Sequence, residues 1–360
     1  MNLPVLTIGK VTAKVPIVQG GMGVGISLSS LAGHVALNGG IGVISGVEIG
    51  FKEPDYLKNK LAANHRALKR HIEEAKRISK NGVIGVNIMV AVNNFEEYVK
   101  TAVAAGADII FSGAGLPLNL PLLTQGTDTS AVPIVSSGRT ARVICKTWDK
   151  RFGLLPDAIV LEGPLAGGHL GFSLSDLENP EVTLENILGD VLEAIRPFEE
   201  RYGRKIPVIA GGGISSGEAM GRIIALGATG VQVGTRFVAT RECDASEAFK
   251  QSYLDAKPED IALIESPVGM PGRAVMSPFL EQVFARTNPP FKCLANCLKP
   301  CDPKSAPYCI ADALISAQEG NFSRGYAFAG AKAYEITRIQ SVKEVMDELI
   351  NGAKAFLENI

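Results

Sequence analysis

Residues 207–218 read PVIAGGGISSGE, and residues 230–237 read GVQVGTRF. In each stretch a short apolar run, typical of a buried strand, leads directly into glycines. Glycines let backbone N–H groups come close to an anion, and the phosphate site of a strand–helix barrel lies between the loops after strands seven and eight. A tight turn without a ligand would explain the first loop alone. The two loops together predict a phosphate site.

The same unit, an apolar run followed by a turn and a helical pattern, recurs along the chain. We count eight predicted strands, which indicates a closed (β/α)8 TIM barrel. An open doubly wound sheet is the alternative, because the pattern does not show closure. The predicted strands are Pro16–Gln19, Ile41–Ser45, Val83–Met89, Asp108–Phe111, Val132–Ser136, Ala158–Leu161, Pro207–Ala210 and Gly230–Val233.

This repeat stops after Thr240. Residues 242–324 combine charged helical patterns, proline-rich connections and four cysteines, without a clear strand–helix repeat. We therefore predict that residues 1–241 and 325–360 form the barrel, and that residues 242–324 form a smaller, mostly helical inserted domain. The amphipathic pattern of Val342–Leu357 predicts a helix that packs back on the barrel.

The composition is that of an ordinary soluble enzyme. Apolar residues make up 46% of the 360 residues, which is enough for a full core. The apolar runs are short and broken, and the first ten residues lack the pattern of a targeting signal, so we expect no membrane partner and a cytoplasmic location. The 36 basic and 37 acidic residues leave no basic excess, so we do not expect nucleic acid as a partner.

One histidine is placed for chemistry. Residues 161–171 read LEGPLAGGHLG, directly after a predicted strand. Catalytic groups of strand–helix barrels lie at the carboxyl ends of the strands, and the glycines bring backbone close to a ligand beside His169. The imidazole could act as a catalytic base or proton donor, or as a hydrogen-bond donor to developing negative charge. A buried structural histidine is the alternative.

Two further segments fit a flat ligand. Val18–Gly25 is glycine-rich and follows the first predicted strand, so its backbone could lie against a ring, although a flexible surface loop has the same composition. Asn87 is a polar side chain in an apolar strand. Buried amides need partners, so Asn87 is either a satisfied structural residue or a ring-binding one.

Five motifs, in order, resemble those of the nitronate monooxygenase family, formerly the 2-nitropropane dioxygenases, which includes flavin-type enoyl-acyl-carrier-protein reductases. The resemblance runs from Pro4 to about Phe237 and resumes at Gly325. The chain departs from it at Pro164 and Leu165, where many members have a glutamate, and in the cysteine-rich insert, so the substrate stays open. The motifs are Gln19–Gly23, GVNIM at 85–89, the Glu162–Gly171 segment, AGGGI at 210–214 and QVGTRF at 232–237.

The resemblance implies an FMN-binding TIM barrel with a small insert, and His169 matches the family's catalytic histidine. Carried over position by position, it places one set of residues along the flavin, a second beside it and a third around its phosphate. The residues along the flavin are Gly21, Met22, Gly23 and Asn87, and those beside it are Glu162 and Gly167. The residues around its phosphate are Gly213, Gln232, Val233, Gly234 and Thr235.

Three functions follow as hypotheses, each with a small-molecule substrate. The first is an FMN-dependent oxidoreductase that oxidises nitronates or nitroalkanes with His169 as catalytic base. The second is an FMN reductase of enoyl thioesters or quinones that uses NAD(P)H as co-substrate. The third is a phosphate-ligand barrel without redox chemistry, or a flavin-binding electron carrier. A homodimer is left open.

Four of the six cysteines lie within seventeen residues of the insert. Such clustering in a cytoplasmic chain favours a metal over disulfides, and four thiolates could hold one zinc ion or one iron–sulfur cluster. The spacing is neither that of a zinc ribbon nor that of a ferredoxin, and free packing thiols are the alternative. The four are Cys293, Cys297, Cys301 and Cys309.

Overall fold

The computed structural model describes residues 3–293 and 296–360. Eight parallel strands in this part of the chain are β3 (Ile17–Gln19), β4 (Gly42–Ser45), β5 (Ile84–Asn87), β6 (Ile109–Ser112), β7 (Ser130–Val135), β8 (Ile159–Glu162), β10 (Val208–Gly211) and β11 (Gly230–Val233). They lie side by side in the order β3-β11-β10-β8-β7-β6-β5-β4. A parallel bridge from Val18 to Ile41 joins the first strand of this order to the last, so the sheet closes into the predicted barrel.

The barrel interior is packed with side chains that are almost fully buried. Val43, Phe111, Val160 and Ile209 belong to this inner cluster, while the apolar residues on the outer faces of the strands pack against the helices. Strands that are buried on both faces read as continuous apolar runs. That double burial is why the sequence pattern located the strands.

A short antiparallel hairpin packs against the end of the barrel where the strands begin. Its strands are β1 (Leu6–Ile8) and β2 (Val11–Ala13), and Leu6 and Ile8 join the inner cluster with no exposed surface. The hydroxyl of Ser130, the first residue of β7, donates to the carbonyl of Ile8. The hairpin therefore covers this end, and the opposite end is left for a ligand.

Helices cover the outside of the barrel. The close fit is visible at Gly42, where a Cβ atom would lie 1.8 Å from the carbonyl oxygen of Ala32 on the first helix, so no larger residue fits without moving that helix. The helices of the described residues, of which α10 to α12 belong to the inserted segment, are α1 (Ser29–Leu37), α2 (Lys60–Ser79), α3 (Phe95–Ala104), α4 (Leu120–Thr124), α5 (Gly138–Phe152), α6 (Leu174–Glu178), α7 (Leu184–Tyr202), α8 (Gly217–Ala225), α9 (Thr235–Val238), α10 (Glu247–Leu254), α11 (Pro278–Ala285), α12 (Ile310–Gln318) and α13 (Val342–Glu358), with 3-10 turns at Pro258–Asp260 and Ala333–Glu335.

The inserted segment, residues 242–324, is not helical throughout. It carries an antiparallel hairpin, β12 (Ile261–Glu265) and β13 (Pro271–Val275), where the sequence predicts helices and a proline-rich connection. The hairpin adds a third strand, β9 (Gly168–His169), from the barrel loop after β8. Pairing with a strand distant in sequence stabilises these short strands, which explains why local patterns did not reveal them. The proposed boundaries of the two domains stay a prediction.

The insert and the barrel share packing. Asp244 accepts hydrogen bonds from the backbone N–H groups of Leu28, Ser30 and Leu31 at the start of α1. The predicted C-terminal helix is confirmed as α13, which packs along α8. In the described part of the chain, no helix is long and apolar enough to span a membrane.

Candidate functional site

One cavity of about 300 Å³ opens at the carboxyl ends of the barrel strands. The loops after all the motif-bearing strands converge on it, because parallel strands of a barrel end at the same face. The structure places every predicted catalytic and cofactor-binding residue in its lining. These residues are Gly21, Met22, Gly23, Asn87, Glu162, Gly167, His169, Gly213, Gln232, Val233, Gly234 and Thr235.

Bare glycine backbone forms one wall of the cavity. A Cβ atom at Gly21 would lie 2.4 Å from the Cβ of Asn87, and one at Gly23 would lie 2.3 Å from a methyl group of Val47. Both distances are too short for a side chain. The loop after β3 therefore lies directly on its neighbours, and a flat ring could approach its backbone.

The predicted phosphate loops form another part of the lining. Gly213 has φ +94°, a conformation that favours glycine, while Gly234 has φ −111°. The backbone N–H groups of these two residues have no protein acceptor in the described part of the chain. Free N–H groups that line a cavity suit an anion.

The segment after the insert completes this end of the cavity. The backbone N–H of Gly330 donates to the hydroxyl of Thr235 at 3.1 Å, and Lys332, two residues later, also lines the cavity. Among the described residues, Lys332 has no carboxylate within ion-pair distance. Its ammonium group can supply positive charge for a phosphate beside Thr235.

Glu162 is the last residue of β8. The backbone N–H of Gly171 donates to its Oε1 at 3.1 Å. Burial raises the pKa of Glu162 to about 7, against the opposing effects of that hydrogen bond and of the Arg273 charge. A carboxyl group with this pKa can exchange a proton near neutral pH.

Arg273 links the insert to the loop that carries the histidine. The guanidinium, on β13, donates from Nη1 to the carbonyls of Pro164 and Ala166. It is 8% exposed. The side chain therefore holds this loop against the hairpin, and it is not among the described residues that line the cavity.

His169 is held on three sides. Its backbone pairs with Gly272 in the three-stranded sheet, its ring meets the edge of Phe328 at a centroid distance of 4.9 Å, and its Nε2 lies 2.7 Å from the hydroxyl of Ser266. Burial lowers the pKa of His169 to about 4, because the charged imidazolium is disfavoured away from water. The imidazole is therefore neutral at physiological pH.

Part of the remaining lining is an apolar wall, to which both the insert and the barrel contribute. Glu48 also lines the cavity, and its buried carboxylate accepts a hydrogen bond from the Tyr56 hydroxyl and lies 3.2 Å from Nζ of Lys60. These partners neutralise the charge, so the wall stays suited to an uncharged chain. The apolar members are Val24, Ile26, Phe249, Leu298, Ile310, Leu314 and Phe328.

The cysteine-rich segment lies against this wall. Cys297 lines the cavity, and its backbone carbonyl accepts the N–H of Asn93. Burial raises the pKa of Cys297 to about 12. Within residues 3–293 and 296–360, no group of three or more histidine, cysteine or acidic side chains is placed to hold a metal ion. A metal at Cys293, Cys297, Cys301 and Cys309 stays a prediction.

Sequence analysis missed three residues of the site, namely Ser266, Phe328 and Lys332. Each is distant in sequence from the motifs. Phe328 and Lys332, in the segment after the insert, line the cavity, and Ser266, in the hairpin of the insert, contacts His169. No local signal marks them. The pairing of β13 with β9, and of Ala274 with Phe328, brings Ser266 and Phe328 beside His169.

The sequence profile of one family, nitronate monooxygenase, matches residues 5–352. The chain belongs to the nitronate monooxygenase family. A solved structure of FabK from Thermotoga maritima covers 96% of this chain and 95% of its own, with 26% identity and a TM-score of 0.75. A solved structure of a nitroalkane oxidase from Streptomyces ansochromogenes covers 96% of this chain and 98% of its own, with 19% identity and a TM-score of 0.72. At this identity the similarity shows the fold alone.

Curated relatives match over shorter lengths. An octahydro-indene carboxyl-CoA dehydrogenase of Mycobacterium tuberculosis is 25% identical over 268 residues, which is 74% of this chain and 65% of that protein. A probable nitronate monooxygenase of Staphylococcus aureus is 32% identical over 128 residues, which is 35% of this chain and 34% of that protein. This chain therefore aligns with less than two thirds of each.

Proposed function

We propose that the protein is an FMN-dependent oxidoreductase that oxidises nitronates. The observation that carries the proposal is the cavity itself, which combines free backbone N–H groups, a glycine wall and a neutral histidine in one space. Membership of the nitronate monooxygenase family supports the same function. A barrel that only binds a phosphate ligand would not need the histidine.

The lining fits FMN. The N–H groups of Gly213 and Gly234, with Lys332, would hold the phosphate, and the backbone at Gly21 and Gly23 would lie against the ring. Bound FMN supplies the two-electron acceptor that no side chain provides. The protein's own contribution is to bind, orient and exclude water.

His169 would contribute a hydrogen bond more readily than it would remove a proton. A base works best when its pKa lies near the operating pH, and the pKa of this buried imidazole is about 4. A nitronate is already an anion and needs no base. The neutral ring can donate a hydrogen bond to a nitronate oxygen and so orient the substrate. This role is the second of the two that the sequence left open.

A second candidate is an NAD(P)H-dependent reductase of enoyl thioesters. It is favoured by the apolar wall built from Phe249, Leu298, Ile310 and Leu314, which suits an acyl chain. The curated relative from Mycobacterium tuberculosis acts on a carboxyl-CoA compound by its name. Neutral His169 would then donate to the thioester carbonyl as negative charge develops there.

Anaerobic reduction distinguishes the candidates. The purified protein should be yellow with the spectrum of FMN. A nitronate added alone, without oxygen, should bleach the flavin at least as fast as one catalytic turnover. Bleaching by NADH or NADPH, with no effect of the nitronate, would replace the first candidate by the second. A colourless protein that binds no added FMN would overturn both.

The matched variant is His169→Asn. It keeps the phosphate and ring contacts, so FMN should stay bound, and it should lower the rate of bleaching about 10²–10³-fold if the imidazole stabilises charge. An unchanged rate with every substrate would remove His169 from the reaction.

A further inference from the structure

The turn of the inserted hairpin places a serine against the motif histidine. Ser266 follows β12, and Gly269 closes the turn, with its N–H donating to the Ser266 carbonyl at 2.9 Å. The serine is 7% exposed. Its hydroxyl lies 2.7 Å from Nε2 of His169. The residue is therefore fixed by the hairpin and has little access to water.

The hydrogen bonds of this hydroxyl assign its direction. Its oxygen accepts the backbone N–H of Val268 at 3.3 Å. The hydroxyl proton then needs an acceptor, and in the described part of the chain Nε2 of His169 is the one within reach. If Nε2 carried the proton instead, the Ser266 O–H would be a buried donor without a partner, which costs about 1–3 kcal/mol. The serine therefore donates, and Nε2 accepts.

The other ring nitrogen faces open space. Nδ1 of His169 has no hydrogen-bond partner among the described residues, and no fully buried side-chain nitrogen or oxygen in them lacks one. Nδ1 therefore keeps accessible surface, and the space that His169 lines is the cavity.

We propose that Ser266 is a positioning residue that fixes neutral His169 as its Nδ1–H tautomer, so that the histidine presents a hydrogen-bond donor, not a base, to a substrate oxygen. The proposal rests on the proposed function for its catalytic consequence, while the tautomer itself does not depend on the substrate. A neutral imidazole that donates in this way polarises an oxygen without transferring a proton.

Nitrogen-15 NMR of the FMN-loaded protein, labelled at histidine, tests the tautomer. The chain has 4 histidines, and the His169→Asn spectrum identifies the signals of His169. We expect an unprotonated Nε2 and a protonated Nδ1 in the wild type, and a mixture or the Nε2–H form in Ser266→Ala. A protonated Nε2 in the wild type would overturn the proposal.

Kinetics of the same variants test the consequence. Ser266→Ala should lower kcat about 10–100-fold with KM changed less than about threefold and FMN retained, because one fixed hydrogen bond to the catalytic ring is lost. Ser266→Thr keeps the hydroxyl and should restore both kcat and the tautomer. Unchanged kcat in the alanine variant, or a threonine variant as slow as alanine, contradicts the proposal.

Ser277→Ala is the matched control. Ser277 lies in the same insert and caps α11 through the N–H of Leu280, so its loss should reduce stability by about 1 kcal/mol and leave the tautomer unchanged. If neither substrate class is turned over, the NMR result still decides the tautomer. Failure of the proposed function is thereby separated from failure of this inference.

Discussion

Gly234→Val tests the phosphate site without disturbing the fold. Gly234 has φ −111°, which any residue can adopt. A Cβ there would have only the side chain of Met22 nearby, at 3.5 Å, which is an ordinary contact. The valine side chain would instead fill cavity space beside a backbone N–H that has no protein partner among the described residues.

The expected loss follows from the contacts removed. A hydrogen bond to a charged group contributes about 1.5–3 kcal/mol, and each 1.4 kcal/mol is a factor of ten in affinity. Displacing the phosphate from the Gly234 N–H should therefore raise the Kd for FMN about 10–150-fold. Titration of the FMN-free protein, followed by the quenching of flavin fluorescence, measures the Kd.

Gly189→Val is the control, because Gly189 lies on α7 and a Cβ there meets nothing within 4 Å. Its Kd should equal that of the wild type, and both variants should melt within a few degrees of it. A Gly234→Val protein that is folded and binds FMN within about twofold of the wild type would refute the assignment of this loop to the phosphate. If valine prevents folding, Gly234→Ala asks the same question with a smaller group.

Three other predictions concern charge and metal. Lys332→Gln should raise the Kd for FMN about 3–10-fold and weaken the dependence of that Kd on salt. Lys343→Gln, which changes an exposed side chain of α13, should do neither. A salt dependence equal to that of the wild type would remove Lys332 from the site. In the FMN-free protein, the pKa of His169 is about 4 in the folded state, against an ordinary histidine value of 6.5. In the pH range between these two pKa values, unfolding takes up a proton. The free energy of unfolding therefore falls as the pH drops through this range. Urea denaturation should therefore show that, between pH 7 and pH 4.5, the free energy of unfolding of His169→Asn rises by about 2 kcal/mol relative to that of the wild type. A difference that stays constant with pH would show that the histidine is not buried and neutral. Metal analysis after anaerobic purification should find about one zinc, or about four irons with sulfide, per chain; absence of both, with four freely titrating thiols, would leave only packing for Cys293, Cys297, Cys301 and Cys309.

The loops proposed to bind the cofactor could be predicted because their requirements are local. A glycine at positive φ, as at Gly213, or one that touches the next strand, as at Gly21, is needed at that position whatever surrounds it. The strands that carry these loops are buried on both faces, and so they appear as apolar runs. Their order along the chain was enough to place His169 at the same face as the glycines.

The surroundings of the histidine could not be predicted in this way. The insert reads as helical, yet residues 261–275 pair as a hairpin because β9 offers a third strand. Ser266 follows the first strand of that hairpin, 97 positions from His169. Side chains that meet through non-local pairing leave no periodic signal in either segment.

By itself, then, the sequence determined the barrel, the end at which the ligand site lies and the glycines that line it, since each depends on the period or conformation of a few consecutive residues. The tertiary structure alone decided the state of the histidine. Its burial against Phe328 lowers the pKa of the ring, and Ser266 gives one of its two nitrogens a partner. Desolvation and hydrogen bonding depend on what surrounds a group in space, and a linear pattern does not record that.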